Sequence, residues 1–422
     1  MNSSLFPPSA RIWVARCFGE NVTGCSSAPV MTGILMQEAM WSRGHPPRHL
    51  RLTRWKWWGR AFIFLWMRSM FKVLNLVKLT DWVKERFPVD VQEMKSLTNE
   101  PVPNHLKHWW FALGGTPAIL FVIQIITGIF LLFHYVPTPE QAYESVGKIT
   151  DEVAFGWYVR SLHKWASELM IVTVMLHMSR VYFTGAYRKP RELNWMVGVV
   201  ILFVTLGLAF TGYSLIYDQL SYWAAVVGTE IAQSTPIVGP LAADFIRGGP
   251  EISGNTLTRF YVFHVVILPA LLAGLVVLHI VIVRLNGVTQ FEFEGDRRSR
   301  HRTFPLFPDH VLTEAILAIL ILYLLTMMAV IFPAGLGDRA DPLMTPEHIK
   351  PEWYFYASFR WLKLTNVYIG IVGQIFFVGI IVLWPFFDKI FENKFPRAEL
   401  SVWIGFLGFS FYLVLTVWEA LV

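Results

Sequence analysis

The chain has 422 residues, of which 54% are hydrophobic and only 16% are charged. A soluble domain of this size needs more charge to cover its surface, so the composition argues against a soluble protein. The net charge of +6 is compatible with nucleic-acid binding or with basic loops of a membrane protein. Because the basic residues lie in short loops between apolar runs, we favour basic loops and expect no nucleic-acid partner.

The first 75 residues are predicted to be an N-terminal extension without a signal-like apolar core. Cys17 and Cys25 lie there, in neither a CxxC nor a CxxCH pattern, so neither a zinc site nor a c-type haem is indicated. A disulfide between them stays open. From Arg60 to Phe87, basic residues alternate with Trp, Phe, Leu and Val. That pattern predicts an amphipathic helix on the membrane surface at 76–100; a disordered basic tail is our interpretation of 1–55.

Seven apolar runs are long enough to cross a bilayer. Six carry no charge, and the second carries Arg160, Lys164 and Glu168 near its first end and Arg180 near its last. The runs are 109–133, 157–183, 195–217, 260–283, 315–332, 364–387 and 401–418. The sequence therefore predicts an all-α integral membrane protein with seven transmembrane helices. Two long connections, 218–258 and 333–363, are predicted to be ordered, the first with one or two short surface helices.

The charges of the loops predict the orientation of these spans. The loops after the second, fourth and sixth spans are basic, whereas the loop after the first is acidic. By the positive-inside rule, the N-terminus and the even-numbered loops face the cytoplasm. We therefore expect a multi-pass protein of the prokaryotic cytoplasmic membrane with its N-terminus inside.

Two of the predicted spans carry two histidines each. His163 and His177 are 14 residues apart, and His264 and His279 are 15 apart. On an α-helix these separations correspond to about 21–22 Å along one face. Side by side, the two helices form an outer pair, His163 with His264, and an inner pair, His177 with His279. Two imidazoles saturate a haem iron, so the pattern predicts two bis-histidine b haems that carry electrons. Hydrogen-bonded core histidines are the alternative.

Glycines repeat with the same period. Gly114 and Gly128 lie 14 apart on the first span, as do Gly198 and Gly212 on the third. Glycine lets a flat macrocycle approach the backbone closely, which favours haem contact. Small residues also serve helix packing in membranes, and this second interpretation stays open.

Four arginines complete the candidate cofactor-binding residues. Arg160 and Arg180 each lie three residues from a histidine of the second span. A guanidinium pairs well with a carboxylate, so a haem propionate is one partner for them, and lipid headgroups are the other. Arg259 precedes His264, and Arg284, five residues after His279, is expected to contact a propionate or a quinone or to cap its helix.

The chain resembles the cytochrome b subunit of the quinol-oxidising cytochrome bc complexes over roughly residues 75–422. Its sharpest marks are TRFYVFH at 258–264 and PEWY at 351–354, the motif of the family's quinol-oxidation site. The runs at 180–185, 188–193 and 340–347 are similar to the b6f branch. That branch is commonly split into a four-helix b6 piece and a three-helix subunit IV. The resemblance implies that both are fused here, as a di-haem domain over 101–300 and a C-terminal domain over 301–422.

The resemblance also implies roles for the PEWY residues. Glu352 accepts a proton from quinol, Pro351 fixes the loop, and Trp353 and Tyr354 pack the wall of the pocket. Tyr222 and Trp223 are weaker candidates for the same pocket. A solvated loop acid is the alternative interpretation of Glu352, although a carboxylate near an apolar pocket has a physical reason for a raised pKa.

The implied activity is that of a proton-translocating quinol:cytochrome c oxidoreductase of the bc1/b6f type. The outer haem is implied to have the lower potential. The implied partners are a Rieske iron–sulfur protein, a cytochrome c-type subunit, quinone, the lipid bilayer and a second copy within the complex. One departure concerns the extra covalent haem of the b6f branch. The family's cysteine is replaced by Ala112, so no covalent haem is expected and the architecture of the inner quinone site stays open.

Two other functions compete with this one. A di-haem b anchor of a dehydrogenase or hydrogenase also carries histidines on helices, but it does not explain PEWY or the three C-terminal helices. A transporter with proton-relay histidines requires no haem. The presence of a b-type absorption band separates the transporter from both haem proteins.

Overall fold

The computed structural model describes residues 101–103, 113–289, 303–347, 349–395 and 399–422. The predicted surface helix at 76–100, Ala112 and both cysteines lie outside the described residues. The described α-helices are α1 Thr116–Leu132, α2 Ala142–Asp151, α3 Gly156–Phe183, α4 Glu192–Ser214, α5 Gln219–Gln233, α6 Gly239–Arg247, α7 Gly254–Val262, α8 Leu268–Asn286, α9 Val311–Ile331, α10 Tyr356–Leu364, α11 Val367–Lys394 and α12 Leu400–Leu421. Two short antiparallel strands, β1 (Pro101–Pro103) and β2 (Thr303–Pro305), pair with Val102 opposite Phe304.

Five helical segments of the described chain have the length and composition to cross a membrane. They are Glu192–Ser214, Gly254–Asn286, Leu306–Ile331, Val367–Lys394 and Leu400–Leu421. Helix α1 is apolar but has 17 residues, and α3 has 28 residues with charged side chains in its first half. The predicted all-α membrane class is confirmed, whereas the count of seven spans stays a prediction. The short helices α5 and α6 confirm the helical interpretation of 218–258.

The core lies where α1, α3, α8 and α9 meet. Leu120, Ala166, Leu272 and Ala329 are fully buried there. Small residues such as the two alanines let helix backbones approach closely, which stabilises helix pairs in a membrane. The outward faces instead expose large apolar side chains throughout α9, α11 and α12. This inverted surface pattern suits a lipid environment.

The long helix Gly254–Asn286 is interrupted by a π-helical turn, Phe263–Ile267, which contains His264. Pro269 follows in the first turn of α8. Because proline lacks an N–H, it cannot donate to the carbonyl four residues earlier, and a wider turn accommodates the missing bond. The local sequence therefore displaces the backbone at the position of His264. We call the end of the bundle that carries the outer histidine pair the outer end, and the opposite one the inner end.

The connection after α9 is fastened to the outer end by hydrogen bonds from Arg160 and Tyr143 to its backbone carbonyls. Arg160 is buried; its Nη1 donates to the carbonyl of Ala334 at 2.7 Å and its Nη2 to that of Gly335 at 2.6 Å. The hydroxyl of Tyr143 donates to the carbonyl of Gly337 at 2.8 Å. These bonds hold the start of the segment that leads to Pro351–Tyr354.

A buried carboxylate joins the C-terminal helices to the rest at the inner end. Asp388 of α11 is 1% exposed and accepts hydrogen bonds from Arg188 Nε at 2.8 Å, from the Tyr187 hydroxyl at 2.9 Å and from the Ser401 hydroxyl. Tyr187 and Arg188 lie in the loop between α3 and α4, and Ser401 lies in the first turn of α12. One side chain therefore links three helical segments.

We expect Asp388→Asn to lower the thermal unfolding midpoint of the protein in detergent. The amide loses the charge that pairs with Arg188, and charge-assisted hydrogen bonds contribute about 1.5–3 kcal/mol. Glu392→Gln is the matched control, because Glu392 is an exposed partner of the same arginine, at 3.4 Å. Exposed ion pairs contribute about 0–1 kcal/mol. Equal midpoints for the two variants would contradict the role given to Asp388.

Candidate functional site

The structure brings the four histidines together as two pairs. In the outer pair, the ring centroids of His163 and His264 are 6.2 Å apart and the ring planes are inclined by 75°. In the inner pair, the centroids of His177 and His279 are 6.5 Å apart, with an angle of 73°. The two pairs therefore have nearly the same geometry at two levels of one bundle, as the spacing along α3 and along the helix Gly254–Asn286 predicts.

Each predicted glycine lies against one of these imidazoles. A Cβ added at Gly114 would lie 3.6 Å from Cε1 of His177, at Gly128 3.3 Å from Cε1 of His163, at Gly198 3.5 Å from Cε1 of His279 and at Gly212 2.5 Å from Cε1 of His264. The glycines come from α1 and α4, and the histidines from α3, the π-helical turn and α8. At Gly212 the ring occupies the place of a Cβ, and at Gly128 an added Cβ would be tight against the ring, whereas Gly114 and Gly198 have room for ordinary van der Waals contact.

Two threonines that were not predicted from the sequence orient the outer pair. Nδ1 of His163 lies 2.8 Å from the hydroxyl oxygen of Thr127, and Nδ1 of His264 lies 3.3 Å from that of Thr211. Nδ1 of His264 also lies 3.0 Å from the carbonyl oxygen of Leu208. The available signal was a repeated Thr-Gly dipeptide, since each threonine directly precedes a glycine of the outer pair.

The inner pair has a different polar neighbour. Nη2 of Arg180 lies 3.5 Å from Nδ1 of His177. The residues before Gly114 and Gly198 are Leu113 and Val197, which offer no hydroxyl. The outer and inner pairs thus share their geometry but differ in what faces Nδ1.

The other predicted arginines have distinct surroundings. Arg160 binds the carbonyls of the connection after α9. The Nη1 of Arg259 is buried without a hydrogen-bond partner among the described residues, and its guanidinium packs against Gly248. Arg284, in the last turn of α8, lies close enough to His310 for an electrostatic interaction.

The PEWY residues form a short turn at the outer end. Glu352 precedes the 3₁₀ turn Trp353–Phe355, and its carbonyl accepts the N–H of Phe355 at 2.9 Å. The ring of Tyr354 is buried, with its centroid 5.5 Å from that of Trp353. Phe355 places its ring 6.4 Å from that of Phe210 on α4. The turn therefore packs against the helix that also carries Gly212.

Burial raises the pKa of Glu352 above its ordinary value, and the nearby charges of Glu168 and Asp218 raise it further, whereas Lys164 opposes the shift. Glu168 belongs to α3, and one of its carboxylate oxygens accepts the indole N–H of Trp353 at 2.5 Å. No role was predicted for Glu168 from the sequence. The signal that could have indicated it was an acidic residue inside a predicted span.

The weaker pocket candidates lie on α5. Tyr222 is buried, and its ring lies 5.8 Å from that of Tyr217 and 5.7 Å from that of Trp223. Tyr217 and Tyr222 also line a small cavity with Phe260 of α7. These residues therefore belong to the outer end, between α5 and α7.

Each histidine pair offers two ligands to a metal ion. The part of the chain that the structure describes contains no group of three or more His, Cys, Asp or Glu side chains suited to holding a metal.

Comparison with known proteins agrees with these features. The family model described as "Cytochrome b/b6/petB" matches residues 97–287, and that described as "Cytochrome b(C-terminal)/b6/petD" matches 339–420. A "Cytochrome bc complex cytochrome b subunit" of Chlorobaculum thiosulfatiphilum is 37% identical over 354 residues, 82% of this chain and 82% of the relative.

Two further relatives match about half of the chain. Cytochrome b6 of Heliobacterium modesticaldum is 48% identical over 209 residues, 50% of this chain and 98% of the relative. The "Menaquinol:cytochrome c reductase cytochrome b subunit" of Bacillus subtilis is 44% identical over 222 residues, 51% of this chain and 98% of the relative.

A solved structure, "Hyperthermophilic respiratory Complex III", superposes with a TM-score of 0.65 at 26% identity, covering 81% of this chain and 98% of its own. Together with the two family models, these matches show that the chain belongs to the cytochrome b family, as a cytochrome b subunit of the bc/b6f type that joins the b6-like and subunit IV-like parts in one polypeptide.

Proposed function

We propose that this chain oxidises quinol at its outer end and carries electrons across the membrane through two b haems, each held by one histidine pair. The observation that carries the proposal is the repetition of one pair geometry, with centroids 6.2 and 6.5 Å apart, at two levels of the same helices. Core histidines that merely fill space have no reason to repeat in this way.

The dimensions of the pairs suit a metal ion between the rings. Metal–imidazole nitrogen bonds are about 2.0–2.1 Å long. The ring centroid lies roughly 1 Å beyond the nitrogen, so two rings on opposite sides of one ion have centroids about 6 Å apart. The buried, unpartnered Nη1 of Arg259 suits a carboxylate such as a haem propionate. When bound, the haems supply one-electron carriers with no open coordination position.

The threonines hold Nδ1 of the two outer histidines and would leave Nε2 of each ring to hold the haem iron. The hydroxyl of Thr127 donates to the carbonyl of Ile123 at 2.7 Å, so its oxygen is available to accept the Nδ1–H of His163. The same arrangement recurs at Thr211, whose hydroxyl donates to the carbonyl of Gly207 at 2.8 Å. With the proton on Nδ1, Nε2 keeps the lone pair that binds iron.

Glu352 is the proposed proton acceptor for quinol. Oxidation of a quinol to a quinone releases two electrons and two protons. A carboxylate whose pKa is raised by burial is a stronger base than an exposed one, and this suits general-base catalysis near neutral pH. The buried aromatic ring of Tyr354 and the indole of Trp353 form an apolar wall beside Glu352, and this burial is the main cause of its raised pKa.

The remaining steps need other molecules, and one relative is named a subunit of a menaquinol:cytochrome c reductase, which supports a cytochrome c-type acceptor. We propose that one electron passes to a Rieske iron–sulfur protein and onward to a cytochrome c-type subunit, and the other crosses to an inner quinone. We further propose that the chain acts as a homodimer within this complex, with the outer end on the non-cytoplasmic side. The family assignment disfavours both the dehydrogenase anchor and the transporter.

The histidine pairing predicts the outcome of single substitutions. His163→Ala or His177→Ala should each reduce the haem content of the purified protein from two b haems per chain to one, because each removes one ligand of one pair. Haem content and the reduced-minus-oxidised spectrum measure this loss. His134→Ala, which changes an exposed histidine, is the control and should retain both haems. Two haems in His177→Ala would contradict the pairing.

The threonine contact predicts a selective change in redox potential. Thr127→Val removes the acceptor for the Nδ1–H of His163, which makes the imidazole less basic and favours the ferrous state. The outer haem should then titrate at a higher potential, by about 60 mV for a tenfold change in the relative binding of the two oxidation states. The inner haem should not shift. A shift of both haems, or of neither, would contradict the assignment of Thr127.

Glu352→Gln should slow quinol oxidation at least about tenfold, since general-base catalysis typically contributes 10²–10⁴-fold, while both haems remain. In the unsubstituted protein, the rate should fall as the pH drops through the raised pKa of Glu352, because protonation removes the acceptor. Steady-state turnover across a pH series measures both effects. Glu347→Gln, at an exposed acid of the same segment, is the control. Unchanged turnover of Glu352→Gln would refute the proton-acceptor role.

A further inference from the structure

Glu168 is an acidic side chain in a place where charge is costly. It lies on α3, five residues after His163 and about 7.5 Å further along the helix axis. The side chain is partly buried. An ionisable group in the apolar part of a membrane protein costs free energy, so its presence calls for a functional reason.

A hydrogen bond from Trp353 links the carboxylate of Glu168 to the PEWY turn. The indole N–H of Trp353 donates to a Glu168 carboxylate oxygen at 2.5 Å, and Trp353 is the residue next to Glu352. The charge of Glu168 acts on Glu352 and shifts its pKa upward, second only to burial. Glu168 is therefore attached to the outer pocket both by a hydrogen bond and electrostatically.

Among the described residues, the other charged groups that act on Glu352 are Lys164 and Asp218. The titratable hydroxyl groups that interact with it belong to Tyr213, Tyr354 and Tyr356. Lys164 is on the same helix, one turn before Glu168, and its charge stabilises the ionised form of Glu352. Asp218, the N-cap of α5, has the opposite effect. Asp218 is held in place by Ser221 and Gly337. Glu168 is thus the acidic group that Trp353 links, by its hydrogen bond, to the segment that carries Glu352.

A purely structural role does not account for the carboxylate. The indole of Trp353 needs only an oxygen acceptor, and the amide oxygen of a glutamine supplies one. A neutral acceptor avoids the cost of desolvating a charge. The presence of a glutamate rather than a glutamine at position 168 therefore requires an explanation beyond anchoring the tryptophan.

We infer that Glu168 is a second carboxyl group of the quinol-oxidation pocket, which works with Glu352 as a coupled pair in accepting the proton that quinol releases. The inference rests on the proposed function of Glu352. Quinol has two O–H bonds: the proton of one would bind to the carboxylate of Glu352, and the proton of the other would pass to water at the outer end. The two electrons would leave singly, one to the iron–sulfur protein and one to the outer haem of the proposed function. Glu168 is a positioning residue: it holds Trp353 and strengthens Glu352 as a base, because protonation of Glu352 relieves the repulsion between two like charges.

Glu168→Gln tests the charge separately from the hydrogen bond, because glutamine keeps an acceptor for Trp353. Both haems and their spectra should be unchanged. The pKa of Glu352 should fall once the like charge is gone, so the acid limb of the pH–rate profile should move to lower pH. The maximal rate should also fall, since Glu352 becomes a weaker base. Asp151→Asn, at an exposed acid of the outer end, should leave the profile in place.

A second readout does not depend on turnover. The infrared absorption of protonated carboxyl groups, followed against pH in the holoprotein, should show Glu352 losing its proton at lower pH in Glu168→Gln than in the unsubstituted protein. Glu352→Gln identifies the band. An unmoved acid limb and an unmoved band in Glu168→Gln, with Glu352→Gln still defective, would overturn the inference and leave the proposed function standing. Normal turnover of Glu352→Gln would overturn both.

Discussion

Contact between an imidazole ring and a glycine backbone, repeated four times, is the constraint on which the rest of the bundle depends. At the outer level the contact is tight, since an added Cβ would lie 3.3 Å from the ring of His163 at Gly128 and 2.5 Å from that of His264 at Gly212; at Gly114 and Gly198 it would be in ordinary van der Waals contact. The glycines therefore let α1 and α4 lie against α3 and the helix Gly254–Asn286, with the rings of each pair 6.2 or 6.5 Å apart. Any larger residue at Gly212 would meet His264 directly, since a Cβ there would lie 2.5 Å from the ring.

The two levels of the bundle share this constraint but differ in chemistry. At the outer level, threonine hydroxyls face the Nδ1 atoms, the connection after α9 is fastened by Arg160, and two carboxyl groups lie around Trp353. At the inner level, Arg180 approaches His177, and Asp388 holds the C-terminal helices in place. A cationic neighbour disfavours the extra positive charge of a ferric haem, whereas a hydroxyl that accepts the Nδ1 proton favours it. This difference agrees in sign with a lower potential at the outer level.

Much of the architecture follows from periodicity. Long apolar runs predict membrane helices, and the 14- and 15-residue intervals predict which histidines meet, because helix rise is fixed. Helix ends were less predictable: α11 begins at Val367 rather than at 364, since the side chain of Asn366 caps it by accepting the N–H of Ile369. The haem ligation and the predicted topology stay proposals.

The roles of Thr127 and Glu168 could not be predicted from the sequence, because they depend on contacts between segments far apart in the chain. Thr127 and Glu168 acquire meaning only when a partner on another helix or loop is placed beside them. Arg160 illustrates the converse: its position near His163 suggested a propionate partner, yet its guanidinium also binds two backbone carbonyls 174 and 175 residues away. A local sequence pattern indicates which side chains are candidates for a site, and the tertiary structure determines which groups those side chains contact.

The central claim is that each histidine pair binds one b haem between ring planes that are nearly perpendicular, at 75° and 73°. Electron paramagnetic resonance of the oxidised, purified protein tests it most directly, because the spectrum of a ferric haem reports both its axial ligands and their relative orientation. We expect two low-spin ferric signals per chain, both of the strongly anisotropic form that perpendicular imidazole planes produce. A high-spin signal, a single haem per chain, or signals typical of parallel imidazole planes would contradict it.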